Sequence, residues 1–332
     1  MIWINRKTSA ISGRKRHDVR IGEWPHRIRE SSRMSRILVT GGTGFVGLRT
    51  VAALHAAGHA VRIFDLAPRP KRLPAHIRAE IVSGDITDTT SVIDAARDCD
   101  GIIHLAGLMT VDCARDPVLG ARVNLIGSLN VFEAAKERRL PVAYLSTAGV
   151  FGPQDATHPQ PMTIYGATKL AVEGAALAFF LDHGVPSLGL RPYIVYGPGI
   201  SAGIAAGPSI AIAASVRREP AEIRFSGRVG FVHVDDVARL LTSAMTAPLE
   251  GAMALTMAGD TTAMEAFVGE LRHQTGWDGI TISGPPLRIP ADLASDPVPA
   301  VLGHHPVTTI ADGIHQSLTA LKAMGPEESS NV

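Results

Sequence analysis

Short apolar runs alternate with longer segments of helical character between residues 36 and 190. Six runs are short enough to be buried strands, and they lie at residues 36–40, 60–64, 79–82, 101–105, 141–146 and 187–190. The intervening segments with the length and spacing of helices lie at residues 45–57, 89–97, 118–138 and 165–183. Strands that alternate with helices pair in parallel and are covered on both faces. The pattern therefore predicts an α/β fold with a doubly wound parallel sheet.

Beyond Arg191 the alternation breaks, and proline and glycine interrupt residues 197–208. A strand is predicted at 229–234, and helices are predicted at 208–218, 235–247, 262–275 and near 309–323. We interpret residues 34–190 as one domain and residues 191–325 mainly as a smaller C-terminal substrate-binding lobe, with residues 326–332 as a tail. Some elements within about 229–257, around Ala252–Met257, are expected to return to the main sheet.

A glycine-rich turn joins the first predicted strand to the first predicted helix, with the sequence Thr40-Gly-Gly-Thr-Gly-Phe-Val-Gly47. Gly41 permits a tight turn, Gly44 lets the backbone approach a pyrophosphate, and Gly47 allows close packing of helix and strand. The amides at the start of the helix and the helix dipole both favour phosphate. The turn therefore indicates a Rossmann-type dinucleotide site. An ordinary glycine turn is the alternative.

Two acids end the second and third predicted strands. Asp65 lies 18 residues after Gly47, where a carboxylate can accept hydrogen bonds from both adenosine ribose hydroxyls and repel a 2′-phosphate. This favours NAD over NADP, although the basic residues of segment 69–72 weigh the other way. Asp85, followed by Ile86, could meet the adenine amino group, and a turn or a helix N-cap is the alternative interpretation.

Tyr165 and Lys169 are four residues apart and would share one helix face. A nearby cation favours the phenolate, so we expect Lys169 to lower the pKa of Tyr165 and make it a general acid or base. Thr147 ends the fifth predicted strand and could polarise the same substrate oxygen, or it could form an ST-turn. Asn124 stands inside a predicted helix, where asparagine is disfavoured, so it either bridges backbone and water or caps a kink.

Composition narrows the class of protein. The 332 residues are 45% hydrophobic and 19% charged with a net charge of +1, which is typical of a globular protein and gives no whole-chain signal for nucleic acid. The two cysteines, Cys99 and Cys113, form no disulfide framework or zinc pattern, so we expect a reducing cytoplasm and no metal. No uncharged apolar run reaches about 18 residues, so we expect no membrane span.

Residues 1–33 differ from the rest of the chain. They carry nine Lys or Arg against three acids, a net charge of +6, and they show neither apolar periodicity nor the apolar core of a secretory signal. We interpret them as a basic, disordered extension before a fold that begins at Met34. A transit peptide and a basic nucleic-acid arm are the alternatives.

The predicted helix at 165–183 contains the stretch Leu170–Leu181, whose one charge is Glu173. A helix that is apolar all round must be buried all round. One face can cover the sheet, and a second subunit is the simplest partner for the other. We therefore predict a homodimer through helices 118–138 and 165–183.

Taken together, these motifs resemble the extended short-chain dehydrogenase/reductases, the NAD-dependent epimerase/dehydratase family, over about residues 35–323. The resemblance rests on the glycine turn, Asp65, Gly84-Asp85, His104-Leu-Ala-Gly107, Asn124, Ser146-Thr-Ala-Gly-Val-Phe-Gly152, Tyr165-x-x-x-Lys169 and Arg191-Pro-Tyr-Ile-Val-Tyr-Gly-Pro198. It implies Tyr165 as the catalytic acid/base, Lys169 as the residue that tunes it, and Thr147 as a hydrogen-bond partner of the reacting oxygen. It further implies NAD as cofactor, held by Gly41, Thr43, Gly44, Phe45, Val46, Asp65, Asp85, Ile86, Leu105, Ala106, Gly107, Asn124, Tyr165, Lys169, Pro192 and Tyr193. Substrate contacts are expected from Thr147, Tyr165, Tyr193 and His233.

One departure from the family pattern bears on the substrate. Nucleotide-sugar members usually carry an arginine at the position of Val229, in the run Val229-Gly-Phe-Val-His-Val234. Arg228 is one residue away, and on a strand that places it on the opposite face. Without the arginine, a diphosphate loses its best anchor. We therefore expect an NAD-dependent oxidoreductase acting on a secondary alcohol or ketone of a sugar-like or small hydroxy compound. The alternatives are a sugar or nucleotide-sugar epimerase with tightly bound cofactor and a non-catalytic dinucleotide sensor.

Overall fold

The computed structural model describes residues 34–200 and 202–323, so the expectations for residues 1–33 and for the tail lie outside the described residues. The strands are β1 (Arg36–Thr40), β2 (Ala60–Asp65), β3 (Glu80–Ser83), β4 (Gly101–His104), β5 (Val142–Leu145), β6 (Ser187–Pro192), β7 (Ile194–Tyr196), β8 (Ala221–Ile223), β9 (Arg228–His233), β10 (Ala252–Met257), β11 (Asp260–Ala263) and β12 (Ile280–Ile282). The α-helices are α1 (Phe45–Ala56), α2 (Thr89–Ala96), α3 (Thr110–Arg115), α4 (Pro117–Ala121), α5 (Gly127–Lys136), α6 (Ile164–His183), α7 (Gly207–Arg217), α8 (Val234–Thr246), α9 (Met264–Thr275) and α10 (Ile310–Ala323).

The main sheet has seven parallel strands in the order β10-β6-β5-β4-β1-β2-β3, so the predicted doubly wound α/β fold is confirmed. β1 lies between β2 and β4, with Val39 opposite Ile63 on one side and Ile103 on the other. The chain runs from β1 toward β3 and then crosses to β4, so the order reverses beside β1. Ligands of such sheets bind beyond the carboxyl ends of the strands at this reversal.

Alternating side chains of β1 enter two separate cores. Leu38 packs with Phe64, Val92 and Phe132 in the core under α2, α5 and α6. Ile37 and Val39 belong to the larger core formed with α1, α8 and the second lobe. Helices therefore cover both faces of the sheet, which explains why its strands are mostly apolar.

The second lobe is built from two small sheets and three helices. One sheet has the order β11-β9-β7 and the other pairs β12 with β8. Helix α7 contacts β8 and α10, and α9 contacts α10, so the helices enclose these strands. β10 returns to the edge of the main sheet, where Ala252–Met257 pair with β6 in parallel.

Two helices differ from their predicted form. The segment predicted as one helix at 118–138 consists of α4, a π-helical turn at Arg122–Ile126, and α5, and α3 precedes it. The predicted helix at 262–275 begins only at Met264, because Asp260–Ala263 pair with β9 as β11. In both places tertiary contacts override a local apolar pattern.

The sequence predicts no membrane span, because only uncharged apolar runs were counted and Glu173 interrupts this one. By length and composition alone, however, α6 is long and apolar enough to cross a membrane. The charge in question, Glu173, is 8% exposed in its side chain and forms a bidentate ion pair with Arg191 of β6, while also accepting a hydrogen bond from Ser146. α6 also packs against α5, and 28% of its most apolar 18-residue stretch is buried.

Candidate active site

The glycine turn between β1 and α1 closes tightly against the loop that follows β4. Gly41 has a φ of +68°, and its N–H donates to the carbonyl of Phe64 at 2.8 Å. A Cβ on Gly41 would lie 2.8 Å from the backbone nitrogen of Ala106, and a Cβ on Gly47 would lie 2.2 Å from the carbonyl oxygen of Gly41. Any side chain at either position would destroy the turn.

The amino end of α1 is left open for an anion. Gly44 caps the helix without a side-chain hydrogen bond, and the first turn of α1 contains no acid. The amides of Phe45 and Val46 are therefore not satisfied by a capping side chain, and the positive end of the helix dipole faces the cleft. This arrangement fits the pyrophosphate of a dinucleotide.

Asp65 at the end of β2 is tied to the glycine turn. Its Oδ2 accepts hydrogen bonds from the backbone N–H of Thr43 at 3.2 Å and from the Thr43 hydroxyl at 2.6 Å. The contact fixes the carboxylate beside the turn while leaving Oδ1 for a ligand such as a ribose. The sequence indicated both residues, but the bond between them requires the fold.

Asp85 and Ile86 lie in the turn between β3 and α2. Asp85 is exposed, and its Oδ1 accepts from the N–H of Thr87 at 2.8 Å, while Asp88 caps α2. Asp85 is thus placed as a turn residue. Ile86 is buried, and its carbonyl accepts from Asn130 Nδ2 at 2.9 Å.

Tyr165, Lys169, Asn124 and Gly107 come together at the carboxyl edge of the sheet. Thr163 caps α6 by accepting from the N–H of Gly166 at 3.0 Å, which puts Tyr165 in the first turn. Lys169 Nζ lies 5.8 Å from the centroid of the Tyr165 ring. A Cβ on Gly107 would lie 3.7 Å from Lys169 Nζ and 3.0 Å from Asn124 Oδ1, so only a glycine leaves this space open.

The expected lowering of the Tyr165 pKa by Lys169 is wrong. Burial of the half-buried ring, with a smaller contribution from the Cys113 thiol, raises the pKa of Tyr165. Lys169 is 5% exposed, and burial lowers its pKa to about 8, with Cys113 acting in the opposite direction. Loss of hydration is thus the largest cause of both shifts.

Thr147 begins a short 3₁₀ turn at Ala148–Val150 directly after β5. Its Oγ1 accepts from the N–H of Gly149 at 3.0 Å, as an ST-turn does. Gly149 lies against the start of α6, since a Cβ on Gly166 would lie 2.3 Å from its carbonyl oxygen. Thr147 is thereby held beside the helical turn that carries Tyr165.

A chain of buried hydrogen bonds connects β1 to the π-helical turn through His104. The Ser128 hydroxyl donates to the carbonyl of Asn124 at 2.6 Å, so the 2.9 Å contact between His104 Nε2 and Ser128 Oγ requires Nε2 to carry the proton. His104 Nδ1 must then accept from the Thr40 hydroxyl at 2.7 Å. Thr40 Oγ1 in turn accepts from the N–H groups of Leu105 and Ala106, both at 3.2 Å.

This chain requires a neutral His104. Burial, and secondarily the charge of Lys169, lowers the pKa of His104 to about 3. The sequence drew attention to His104 and Thr40 through their motifs, but it did not indicate the hydrogen bond between them, and Ser128 carried no sequence signal.

The amide side chain of Asn124 is engaged by the backbone of Leu108 and by the Cys113 thiol. Its Oδ1 accepts from the N–H of Leu108 at 2.8 Å, and its Nδ2 donates to the Leu108 carbonyl at 2.9 Å and to Cys113 Sγ at 3.3 Å. Asn124 thus fixes the loop that follows Gly107. Of the two interpretations offered by the sequence, bridging to backbone fits this geometry.

The remaining predicted residues lie farther along the chain. Pro192 ends β6, and Tyr193 is buried, with its hydroxyl donating to the carbonyl of Ile289 at 3.4 Å and its pKa raised by burial to about 12. His233 is buried under α10, where Nε2 meets Ser317 Oγ at 3.3 Å and Nδ1 accepts from the N–H of Asp235 at 3.4 Å. Both ring nitrogens of His233 are used structurally, and the contacts of this histidine do not join it to the group around Tyr165.

A family model described as the NAD dependent epimerase/dehydratase family matches residues 37–255. The chain belongs to this family. Its predicted NAD cofactor agrees with the family and with the open, glycine-lined turn. No group of His, Cys, Asp and Glu residues suited to a metal ion occurs within residues 34–200 and 202–323.

Similar curated proteins have several activities. A 3-beta-hydroxysteroid dehydrogenase of Mycolicibacterium neoaurum is 33% identical over 181 residues, which are 50% of this chain and 49% of that protein. A dTDP-glucose 4,6-dehydratase of Mycolicibacterium smegmatis is 29% identical over 49% of this chain and 54% of its own. A dihydroflavonol 4-reductase of Zea mays is 30% identical over 62% of this chain and 65% of its own. The chain thus spans about half to two thirds of the length of these relatives.

Solved structures match over most of the chain. MoeE5 in complex with UDP-glucuronic acid and NAD superposes with a TM-score of 0.75 and 26% identity, covering 87% of this chain and 100% of that one. A UDP-glucose 4-epimerase of Thermus thermophilus in complex with NAD gives a TM-score of 0.72 and 26% identity, covering 86% and 98%. The second lobe is therefore shared with these proteins, although the curated matches extend less far.

Proposed function

We propose that this protein is an NAD-dependent oxidoreductase that transfers a hydride between a secondary alcohol or ketone and the nicotinamide. The observation that carries the proposal is the meeting of Tyr165, Lys169 and the Thr147 turn at the sheet edge that also holds the glycine turn. A non-catalytic sensor has no use for a buried tyrosine–lysine pair beside the cofactor site.

Each side chain has a role in this reaction. In the oxidative direction the phenolate of Tyr165 would accept the hydroxyl proton of the substrate, and the carbinol carbon would lose a hydride to bound NAD, so that a ketone forms. Thr147 would hold the reacting oxygen with Tyr165. Lys169, whose lowered pKa of about 8 leaves it mainly protonated at pH 7, would stabilise the phenolate once the site is closed to water.

Replacing the phenol tests this assignment. We expect Tyr165→Phe to retain NAD binding and to lose about 10²–10⁴-fold in turnover, the usual contribution of a positioned acid or base. Lys169→Ala should impair both cofactor binding and turnover. Tyr196→Phe is a matched control, because the buried Tyr196 hydroxyl has no hydrogen-bond partner among the described residues. Near wild-type turnover by Tyr165→Phe on the true substrate would contradict the role.

The substrate we propose is a sugar-like or other small hydroxy compound. In support, Val229 is fully buried in β9 while Arg228 is exposed, so neither residue supplies the buried cation that a substrate diphosphate needs. The hydroxysteroid dehydrogenase and dihydroflavonol reductase among the relatives are named for substrates other than nucleotide sugars.

A sugar or nucleotide-sugar epimerase is the second candidate function. It is favoured by the likeness to MoeE5 and to the Thermus epimerase, each 26% identical over nearly the whole matched chain. Both candidates share the hydride transfer at Tyr165. They differ in whether the ketone and the reduced cofactor leave the protein.

We also propose that Met34–Leu190 form the NAD-binding domain and that residues 191–325 form mainly the substrate lobe.

We propose further that the protein acts in the cytoplasm as a homodimer. In support of the compartment, both cysteines are buried and free. In support of the dimer, α6 exposes Ala167, Ala171, Gly174, Leu177, Ala178 and Leu181 along one side. We expect neither a membrane nor a nucleic acid as partner.

A further inference from the structure

Arg72 crosses the mouth of the dinucleotide site. It lies in the connection between β2 and β3, and its Nη2 donates to the carbonyl of Gly199 at 2.7 Å, 127 residues farther along the chain. Gly199 follows β7 and has a φ of +116°. The guanidinium therefore links the adenosine side of the sheet to the second lobe.

The contact lies against the amino end of α1. A Cβ on Gly199 would be 3.5 Å from Cδ2 of Phe45 and 3.9 Å from Arg72 Nη2. Phe45 is the first residue of α1, whose amides face the expected pyrophosphate. Arg72 thus brings a full positive charge to a place where the helix dipole is already positive.

No acid of the described chain neutralises this charge. The ion pairs formed within residues 34–200 and 202–323 do not include Arg72. Burial and, after it, the charge of Arg69 lower the pKa of Arg72, and no carboxylate opposes them. Asp65, which ends the preceding strand, is bound to Thr43 instead. A partly buried cation beside a positive helix end requires an anion.

We infer that Arg72 binds the pyrophosphate of NAD and, through Gly199, clasps the cofactor between the two lobes. A guanidinium that gives one N–H to a carbonyl keeps further donors for phosphate oxygens. The clasp slows release of the cofactor, because NAD cannot leave without breaking the Arg72 contacts. This inference rests on the dinucleotide site and not on the substrate or reaction proposed above.

Two pairs of ligands that differ within each pair only in phosphate, adenosine with ADP and NAD with NADP, test the inference without turnover. Adenosine, ADP, NAD and NADP are titrated against wild-type protein, Arg72→Gln, Arg72→Lys and Lys71→Gln by calorimetry or by displacement of NADH fluorescence. We expect Arg72→Gln to weaken ADP and NAD by about tenfold to a hundredfold, the effect of losing a charge-assisted hydrogen bond. Adenosine affinity should stay within about twofold, and NADH release followed by stopped flow should accelerate by a similar factor to the loss of NAD affinity.

Lys71→Gln removes an exposed charge from the same loop, so it is the matched control and should leave the affinities for adenosine, ADP and NAD within about twofold. Arg72→Lys keeps the positive charge but not the planar guanidinium with its several N–H donors. Its affinities for ADP and NAD should therefore lie between those of the wild type and of Arg72→Gln. In the wild type, rising salt should weaken ADP binding more than adenosine binding.

Three outcomes would overturn the inference. Equal weakening of adenosine and ADP in Arg72→Gln would make Arg72 a loop-packing residue only. Loss confined to NADP would place the guanidinium at the 2′-phosphate position instead. Unchanged ADP and NAD affinities in a folded Arg72→Gln protein would leave no role for it in the cofactor site.

Discussion

Lys169 is a cation with 5% of its surface exposed. Burial and, after it, the charge of Lys169 keep the neighbouring buried His104 neutral by lowering its pKa. The sequence could predict that Tyr165 and Lys169 share a helix face, because i and i+4 spacing is a local property. It could not predict the direction of the Tyr165 pKa. That depends on hydration lost to segments distant in sequence, among them α3, which carries Cys113 and packs against α6.

The neutral state of His104 leads to a prediction for stability. In the unfolded chain His104 titrates near 6.5, whereas in the fold its pKa is about 3. Between these values the unfolded chain holds a proton that the folded chain lacks. The free energy of unfolding should therefore fall as the pH is lowered, by up to about 1.4 kcal/mol per pH unit from this one group.

Urea unfolding followed by circular dichroism at pH 6.5, 5.5 and 4.5 measures this slope. We expect His104→Gln to be less stable at pH 7, because the hydrogen bonds to Thr40 and Ser128 are disturbed, but to show a shallower dependence on pH. The exposed His304 provides the control, and His304→Gln should retain the wild-type slope. A slope in His104→Gln equal to that of the wild type would contradict the assignment. The buried His233, whose pKa is also lowered, contributes a slope of the same sign in every variant.

At the scale of elements, the π-helical turn at Arg122–Ile126 interrupts a segment that the sequence predicts as one helix, and tertiary contacts explain the difference. The apolar spacing from 118 to 138 is helical throughout, so one helix was a sound local prediction. The π-helical turn adds a residue to the ladder and brings Asn124 to face Leu108 and Cys113. That arrangement is stabilised by a loop 16 residues earlier, which no local pattern reveals.

Helix α6 gives a prediction of assembly. Leu177 and Leu181, one turn apart, are 48% and 71% exposed, and a Cβ on Gly174 would meet no atom within 4 Å. Small residues on this side allow a second helix to approach closely. We expect the wild-type protein to be a dimer by light scattering at micromolar concentration, and the Leu177→Glu/Leu181→Glu double variant to be a monomer of unchanged helical content.

The control for assembly is Val307→Glu, since Val307 is 52% exposed and lies before α10, away from α6. It should remain dimeric. Phe179 is unsuitable for this test, because its ring stacks on Phe132 at 5.3 Å and a charge there would disrupt the core. A wild-type monomer, or a dimer that survives both glutamates, would refute the predicted interface.

For the molecule as a whole, the strand order explains why so much of the site was readable from the sequence. The parallel strands of the main sheet have their carboxyl ends at one edge, where the site residues lie. These are the turn after β1, Asp65 at the end of β2, Gly107 after β4, Thr147 after β5 and Pro192 at the end of β6. A residue's place after a strand therefore predicts its place at the site. His233 shows the limit of this rule, because β9 belongs to the separate sheet of the second lobe, and its terminal histidine is buried under α10.

The type of reaction is the last prediction and belongs to this scale, because it depends on how the second lobe holds the intermediate. An epimerase must retain the ketone, turn it over and return the hydride, which is easiest when a diphosphate tethers the substrate. Here the tethering position is Val229, fully buried in β9, and the neighbouring Arg228 is exposed. A dehydratase needs a further acid/base pair near Thr147, and the residues that follow Thr147 are Ala148 and Gly149.

Release of the ketone is then the natural outcome, with NADH leaving as a co-product. We expect one NADH to form for each molecule of ketone when NAD and a polyol, sugar or sugar acid are added, measured by absorbance and by product analysis. A Thr147→Val variant should lose turnover while retaining NAD affinity, because the oxygen of the substrate loses a hydrogen bond only in the reacting complex. If the wild-type protein instead interconverts two stereoisomers while NADH fails to accumulate, the epimerase is the correct function. The slow cofactor release expected from the Arg72 clasp would then suit the epimerase, because an epimerase keeps its cofactor bound until the hydride is returned.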